Sequence, residues 1–270
     1  MMIKKTFILP ALAAGLLISC NTSEEKKTDE TTAPVKDTTM VVEEAPITDP
    51  KETEVWEPEP AVVSFSEKGI PSDAVVLFNG ENLDAWKSAT DSIVNAPWQI
   101  NKDGSMTVVG GTGDIQTKES FGDMQLHVEW QAPQVVEGEG QGRGNSGIFL
   151  QGLYEVQVLN SFENRTYSNG QATAIYKQSI PLVNATKPTK EWQTYDIIYH
   201  QPVFDVDGNK TQAATVTVLH NGVLVQDNVE IQGTTEYIGK PKNEAHGEGP
   251  IKLQDHGNPV SFRNIWVRKL

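Results

Sequence analysis

The stretch GNSGIFLQGLYEVQVLNS at residues 144–161 decides the fold class, because it predicts two β-strands joined by a tight turn. The second strand, YEVQVL, places Glu155 and Gln157 on one face. Val156 and Val158 face the other way. A half-buried strand alternates like this for solubility alone, so the polar face is either ordinary surface or the floor of a binding site.

Several other segments show the same short-strand pattern, and no segment shows convincing helical periodicity over a dozen residues. Turn dipeptides separate them at Asn79-Gly80, Asp103-Gly104 and Asn221-Gly222. The segments are AVVLF, MQLHVEWQA, YDIIYH, ATVTVLH and VSFRNIWVRKL. This pattern predicts an all-β jelly-roll sandwich of two antiparallel sheets. A concave polar sheet face with aromatic rims is a typical carbohydrate site in such a fold.

The amino terminus predicts an export signal. Lys4 and Lys5 precede an apolar run over residues 7–18 that is too short to span a bilayer comfortably as a permanent helix. We therefore predict a signal peptide over residues 1–19.

The motif LISC at residues 17–20 resembles a bacterial lipobox, in which the signal is cut before the cysteine and the thiol is acylated. Cys20 is the only cysteine of the chain and has no disulfide partner, so lipidation is its natural use. The alternative is an ordinary signal with an incidental cysteine. Asn21, in place of a retaining Asp, favours an outer-membrane anchor on either the periplasmic or the cell-surface face.

An acidic segment follows the cysteine. Residues 21–60 hold twelve Asp or Glu against four Lys and almost no large apolar side chains. Such a composition cannot bury enough surface to offset chain entropy, which predicts a disordered tether over residues 20–62. Residues 63–270 then suit one jelly-roll domain. Because the domain offers no basic stripe, nucleic acid is not an expected partner.

The usual catalytic motifs are missing from the sequence. There is no G-x-S-x-G, no G-x-x-x-x-G-K, no H-E-x-x-H and no cysteine pair. FDVDGNKTQ resembles part of a calcium loop, but Val216 stands where the closing Glu is required, so a hairpin connection is predicted. His246 could join His256 on a metal, although the spacing specifies no third ligand.

Three stretches are unusual for a plain sandwich surface. In GQGRGNSGIFLQG, glycines surround Arg143 and Asn145 and permit close backbone approach to a ligand, or else form only a flexible loop. YEVQVLNS supplies Glu155. In GPIKLQDHGNPVSFRNIWV, His256 is suited to proton transfer and the adjacent Asp255 could orient it, although a turn histidine is often structural.

These stretches, together with LFNGENLDAW and YSNGQATAIYKQSIPLVNATKPTKEWQTYDIIYH, resemble the 3-keto-disaccharide hydrolase domain family. The resemblance covers roughly residues 72–270 and its motifs occur in the family's order. It implies a concanavalin A-like jelly roll related to glucanases. It also implies an exported bacterial enzyme that cleaves the glycosidic bond of a sugar oxidised to a ketone at C3.

The implied chemistry follows from the ketone, which acidifies the neighbouring C2 proton. A general base can remove that proton, and the substituent on C1 can then leave by elimination, with or without later addition of water. Such a reaction does not need the carboxylate pair of ordinary glycosidases. It needs a base, an acid for the leaving group and a group that stabilises the enolate.

The resemblance assigns roles to residues of this chain as hypotheses. Glu155 is the base or acid, His256 its partner and Asp255 the possible orienter of His256. Binding of hydroxyls or of the enolate oxygen is expected from Arg143, Asn145, Gln157, Lys252, Gln254 and Arg263. Tyr176 and Trp192 could stack on a sugar ring, although Trp192 could equally belong to the core. Whether a divalent metal assists as electrophile is left open by the sequence.

Two other functions remain open. The same scaffold could form a non-catalytic glycan-binding module, which would need the aromatic residues and amides but no acid and base. It could also be a structural surface lipoprotein that binds no carbohydrate.

Overall fold

The computed structural model describes residues 46–270, which form an almost entirely β-stranded structure. Helical turns are limited there to three short 3-10 segments, Pro50–Thr53, Gly140–Gly142 and Ser168–Gly170. In chain order the strands are β1 (Val75–Phe78), β2 (Trp86–Ser88), β3 (Gln99–Ile100), β4 (Met106–Thr107), β5 (Ile115–Thr117), β6 (Met124–Gln131), β7 (Asn145–Leu150), β8 (Tyr154–Leu159), β9 (Gln193–His200), β10 (Val203–Phe204), β11 (Lys210–Gln212), β12 (Ala214–His220), β13 (Val223–Ile231), β14 (Lys252–Leu253) and β15 (Ser261–Lys269).

Thirteen of the fifteen strands in the described residues form two large antiparallel sheets, and β10 and β11 pair separately. The eight-stranded sheet has the order β13-β12-β9-β6-β15-β4-β3, with β1 also paired to β15. The five-stranded sheet has the order β2-β5-β14-β7-β8. The prediction of an all-β jelly-roll sandwich is therefore confirmed.

Alternating side chains from both sheets form one core between them. In β6 the even-numbered residues from Met124 to Trp130 are buried, while their odd-numbered neighbours are partly exposed. Val156 and Val158 of β8 join the same core from the five-stranded sheet. Alternation of period two thus fixes which face of each strand is apolar.

The predicted hairpins are present. β7 and β8 pair from Asn145 opposite Leu159 to Leu150 opposite Tyr154. The FDVDGNKTQ segment connects β10 to β11, so its prediction as a hairpin connection is confirmed.

The chain divides into two compact units, of which the second is Pro60–Leu270. The first is described only from residue 46, and all of its described residues are exposed. It contains the short turn Pro50–Thr53, capped by the Asp49 side chain. The predicted signal peptide, Cys20 and the first part of the predicted tether lie outside the described residues. Among the residues described, no helix has the length and apolar character needed to cross a membrane.

Candidate active site

A cleft of about 690 Å³ lies on the face of the five-stranded sheet that points away from the core. Its floor is formed by β7 and β8, through Asn145, Phe149, Glu155 and Gln157. Its walls come from residues 141–142, from the segment 167–177, from the loop at 235–237 and from residues 254–256 that follow β14. The polar face of YEVQVL is therefore the floor of a cleft.

Glu155 lies in the floor with only 5% of its surface exposed. Burial raises its pKa to about 8, and the negative charge of Asp114 acts in the same direction while Lys252 opposes it. Its carboxyl group makes no salt bridge within residues 46–270. At neutral pH Glu155 is therefore mainly a neutral acid, a state suited to donating a proton.

Gly147 makes room for this carboxyl group. It lies opposite Gln157 in the neighbouring strand, and a Cβ atom on it would be 2.6 Å from Glu155 Oε1. Any side chain at this position would displace the carboxyl group or the strand. The glycines of the GNSG motif thus serve the site partly by leaving space on the sheet surface.

Lys252 supplies a positive charge on the same face. It lies on β14 opposite Phe149, and its Nζ is 4.0 Å from the centroid of the Phe149 ring. The same Nζ is 3.3 Å from Asp114 Oδ2. Lys252 does not line the cleft itself, but it places a positive charge beside the Phe149 ring of the floor.

His256 lines the cleft as an exposed side chain. The predicted role of Asp255 as its orienter is not met by the structure. The Asp255 carboxylate accepts hydrogen bonds from the backbone N–H of Gly113 and of Gly257, both at 2.9 Å. No hydrogen bond joins Asp255 to the imidazole in the described part of the chain. Asp255 instead stabilises the turn that carries His256, because its two oxygens are engaged by backbone amides.

Aromatic side chains form one wall of the cleft. The hydroxyl groups of Tyr176 and Tyr167 share a hydrogen bond, and burial together with this bond raises the pKa of Tyr176. Lys177 Nζ donates to the backbone carbonyl of Tyr237 and lies 4.4 Å from the centre of that ring. Apolar ring faces beside polar groups suit a sugar. Of this wall the sequence predicted only Tyr176.

The amide side chains of Asn145, Gln157 and Gln254 also line the cleft, as predicted. Gln254 Oε1 is buried and has no donor among the described residues. It could accept a hydrogen bond from a sugar hydroxyl.

Comparison with known proteins identifies the family of this fold and site. Residues 73–268 match the model of the 3-keto-alpha-glucoside-1,2-lyase-like domain. The chain belongs to this family. A family name fixes neither the sugar nor the residues that act on it, so the geometry of the cleft has to supply the roles.

Similar proteins support this family membership. A 3-keto-disaccharide hydrolase of Bacteroides thetaiotaomicron is 25% identical over 246 residues, which cover 74% of this chain and 81% of the relative. A Parabacteroides distasonis protein of known structure, assigned as a glycosyl hydrolase, is 52% identical with a TM-score of 0.78, covering 82% of this chain and 97% of its own. A second structure from that organism shares the fold at 20% identity and a TM-score of 0.53, covering 73% of this chain and 94% of its own.

Three residues from the family-like motifs lie outside the cleft, so the structure does not support the prediction that they bind sugar there. Arg143 lines a separate cavity of about 360 Å³ and donates from Nη1 to the carbonyl of Glu163 at 3.2 Å. Arg263 and Trp192 lie together, the guanidinium carbon 4.0 Å from the ring centroid. Because β15 belongs to the eight-stranded sheet, Arg263 lies on the opposite side of the sandwich from the cleft.

The possible metal pair is not assembled either. His246 Nε2 lies 2.6 Å from the hydroxyl of Tyr154, and His246 does not line the cleft with His256. Within residues 46–270, no group of three or more His, Cys, Asp or Glu is arranged to hold a metal ion.

Proposed function

We propose that this chain cleaves the glycosidic bond of 3-keto-glycosides by elimination across C1 and C2. The observation that carries the proposal is the buried Glu155, neutral near pH 7, in a cleft that also contains His256 and is bordered by Lys252. An acid, a base and a cation on one surface are the three groups that this elimination needs. Membership of the 3-keto-alpha-glucoside-1,2-lyase-like family supports the same substrate class.

His256 is proposed to take the C2 proton, since it is exposed to the cleft and imidazole is the side chain best suited to proton transfer. The electron pair of the C–H bond forms the enolate of the C3 ketone, whose negative charge the ammonium of Lys252 stabilises. The enolate then collapses, the C1–O bond breaks, and Glu155 gives its proton to the leaving oxygen. The products are an alcohol and an unsaturated 3-keto sugar. Addition of water across the new double bond would make the net reaction a hydrolysis.

Asn145 and Gln254 are proposed to bind hydroxyl groups, and the wall formed by Tyr167, Tyr176 and Tyr237 to contact a ring face. These are general features of carbohydrate binding, so they also support the second candidate, a non-catalytic glycan-binding module. The neutral buried carboxylic acid favours the enzyme, because binding alone has no use for a displaced pKa.

Turnover of a 3-keto-glucoside tests the proposal, with the same glucoside carrying a C3 hydroxyl as the control substrate. Release of the alcohol and an unsaturated product from the keto substrate alone is the expected result. His256→Ala should reduce turnover by a factor of about 100 or more while retaining sugar binding. Wild-type protein that binds the sugar without any detectable turnover would establish the binding module instead.

For location we propose an exported lipoprotein anchored to the outer membrane through Cys20, facing either the periplasm or the cell exterior. The sequence supports this through the signal and the LISC motif. Mass spectrometry of the mature amino terminus should show an acyl mass on Cys20 that is lost in Cys20→Ser. An unmodified cysteine, or cleavage at another site, would contradict the anchor.

A further inference from the structure

The amide of Gln157 lies between three other polar side chains in the floor of the cleft. Its Nε2 donates to Gln141 Oε1 at 2.9 Å and is 3.4 Å from Asn145 Oδ1. Gln157 is 1% exposed, so water does not compete for these contacts. The direction of this one amide therefore depends on the two acceptors that hold its nitrogen.

Both acceptors have a fixed direction. Gln141 Nε2 donates to the backbone carbonyl of Gly170 at 2.8 Å and to Thr166 Oγ1 at 3.1 Å. Asn145 Nδ2 donates to the backbone carbonyl of Gln141 at 2.7 Å. A backbone carbonyl can only accept, so neither amide can be reversed without placing oxygen against oxygen. Gln141 and Asn145 consequently present their oxygens to Gln157.

With its nitrogen held, the oxygen of Gln157 faces Glu155. The other terminal atom of the Gln157 amide, Oε1, is 3.0 Å from Glu155 Oε1 and 3.2 Å from the carbonyl oxygen of Ser146. Reversing Gln157 would give both Glu155 and the Ser146 carbonyl a donor, but it would set the Gln157 oxygen 2.9 Å from Gln141 Oε1 and 3.4 Å from Asn145 Oδ1. With oxygen facing Glu155, the Gln157 oxygen lies 3.2 Å from the Ser146 carbonyl; with the amide reversed, it lies against two fixed oxygens, the nearer only 2.9 Å away. Because the reversed contact is the shorter one, we assign oxygen to the atom that faces Glu155.

Two oxygens at hydrogen-bond distance attract each other only if one carries a proton. An amide oxygen has none, so the proton belongs to the carboxyl group of Glu155. We propose that Gln157, oriented by Gln141 and Asn145, is a positioning residue that keeps Glu155 in its protonated form. The catalytic meaning of this arrangement, a proton held ready for the leaving oxygen, rests on the proposed function.

The other charged and titratable groups near Glu155 do not replace this effect. Lys252, on β14, is the nearby cation, and it is engaged by Asp114. The remaining titratable groups of the cleft are Tyr167, Tyr176, Lys177, Tyr237 and His256. Burial raises the pKa of Glu155 to about 8, and a hydrogen bond to an amide oxygen would act in the same direction because it favours the neutral acid.

Carboxyl-carbon NMR of the intact chain, labelled at the glutamate side-chain carboxyl carbons, tests the proposal without any substrate. The resonance missing from Glu155→Gln identifies Glu155, and its titration gives the pKa directly. Gln141→Met removes the acceptor that fixes Gln157 but does not touch Glu155. The freed amide can then turn its NH₂ group to Glu155, so the pKa should fall by about 1 unit or more.

One variant serves as a control. Gln151→Met removes a buried amide that bonds the carbonyl of Phe121 and the Gln201 side chain, away from the cleft, and should leave the Glu155 titration unchanged.

A wild-type Glu155 that titrates in the ordinary glutamate range would overturn the proposal, even if the variants fail to fold. An unchanged titration in folded Gln141→Met would overturn it as well. If the pKa is raised and falls in Gln141→Met while the wild type shows no activity on 3-keto-glycosides, the role of Gln157 stands and the proposed function fails. The two hypotheses are therefore separable.

Discussion

The two sheets each carry a polar face turned away from the core, and the two faces differ in how their charges are paired. On the eight-stranded sheet, His127 Nδ1 lies 2.7 Å from Asp196 Oδ1 and Glu129 Oε2 lies 2.6 Å from Arg263 Nε. Burial disfavours both charges, yet hydrogen bonds to Asp196 and Glu129 raise the pKa of His127 to about 9. Hydrogen bonds from His127, Asn264 and Arg263 likewise lower the pKa of Glu129 to about 2.

On the five-stranded sheet, Glu155 has no such partner within residues 46–270, and burial raises its pKa to about 8. Glu129 and Glu155 have the same side chain on the same kind of strand position, yet one is a stable anion and the other a neutral acid. The charge pairs on the eight-stranded sheet stabilise the fold, whereas the unpaired carboxyl group of Glu155 keeps a proton available for chemistry. Four predictions test this contrast.

The largest expected effect is on turnover. Glu155→Gln removes the proposed proton donor and should lower turnover of a 3-keto-glucoside by a factor of about 100 to 10,000. Glu129→Gln, the same change on the other sheet, should leave turnover within about twofold. Steady-state kinetics of both purified variants provide the comparison. Equal losses would mean that activity depends on general integrity of the sandwich and not on Glu155.

Stability should respond in the opposite way. Glu129→Ala leaves Arg263 and His127 without an acceptor that both use, and we expect a loss of about 2–3 kcal/mol in the free energy of unfolding. Glu155→Gln should be neutral or stabilising by about 1 kcal/mol, because it removes the cost of keeping a buried carboxyl group protonated. Urea unfolding near neutral pH measures both. A larger loss of unfolding free energy in Glu155→Gln than in Glu129→Ala would contradict the idea that Glu129 serves stability and Glu155 serves chemistry.

The pH dependence of the free energy of unfolding should reveal the raised pKa of His127. The pKa of His127 is raised from 6.5 to about 9, so its contribution is complete below pH 6.5 and is lost as the pH rises through about 9. Over this pH range we expect the free energy of unfolding to decline by about 2 kcal/mol, allowing for partial solvent screening.

Glu155 adds a separate decline between its ordinary pKa of 4.5 and about 8, since its folded-state pKa is also raised. His127→Gln should therefore flatten the curve between pH 6.5 and about 9, and Glu155→Gln between pH 4.5 and about 8; only above pH 8 is the decline due to His127 alone. An unfolding free energy in His127→Gln that still declines like the wild type above pH 8 would be inconsistent with this account.

The smallest effect is expected at Gly147. Gly147→Ala places a Cβ atom 2.6 Å from Glu155 Oε1 and should reduce the free energy of unfolding by about 1 kcal/mol, because the carboxyl group has to move. Gly142→Ala is the matched control, since a Cβ there meets nothing within 4 Å. Thermal unfolding of the two variants gives the difference. Identical behaviour would show that the carboxyl group is not confined by this glycine.

Much of the site could be predicted from the sequence because it lies on regular strands. Alternation in YEVQVL fixed that Glu155 and Gln157 share one face, and the pairing of β7 with β8 brings Asn145 to the same cleft. His256 and Gln254 were found through the motif LQDHG, which the structure places directly after β14. Tyr167, Lys177 and Tyr237 were missed, since they lie in irregular segments whose positions depend on contacts distant in sequence.

Three assignments fail for one physical reason, those of Arg263, Trp192 and Asp255. Arg263 is close to the LQDHG motif in the sequence, but β15 pairs with β6 in the eight-stranded sheet, and sequence proximity to β14 says nothing about which sheet a strand joins. Trp192 packs against the Arg263 guanidinium, away from the cleft. Asp255 is adjacent to His256, yet backbone amides of Gly113 and Gly257 engage its carboxylate. Local spacing does not reveal competing partners from another segment.

The sequence by itself determined the all-β architecture, the hairpin of β7 and β8, and the face of that hairpin on which the acid lies. These follow from side-chain alternation and turn chemistry, which are local properties. Only the tertiary structure decided that Glu155 is buried without a counter-ion in the described part of the chain, while Glu129 is paired with Arg263. The protonation state of a carboxyl group depends on burial and on partners brought in by distant segments, and no local pattern specifies either.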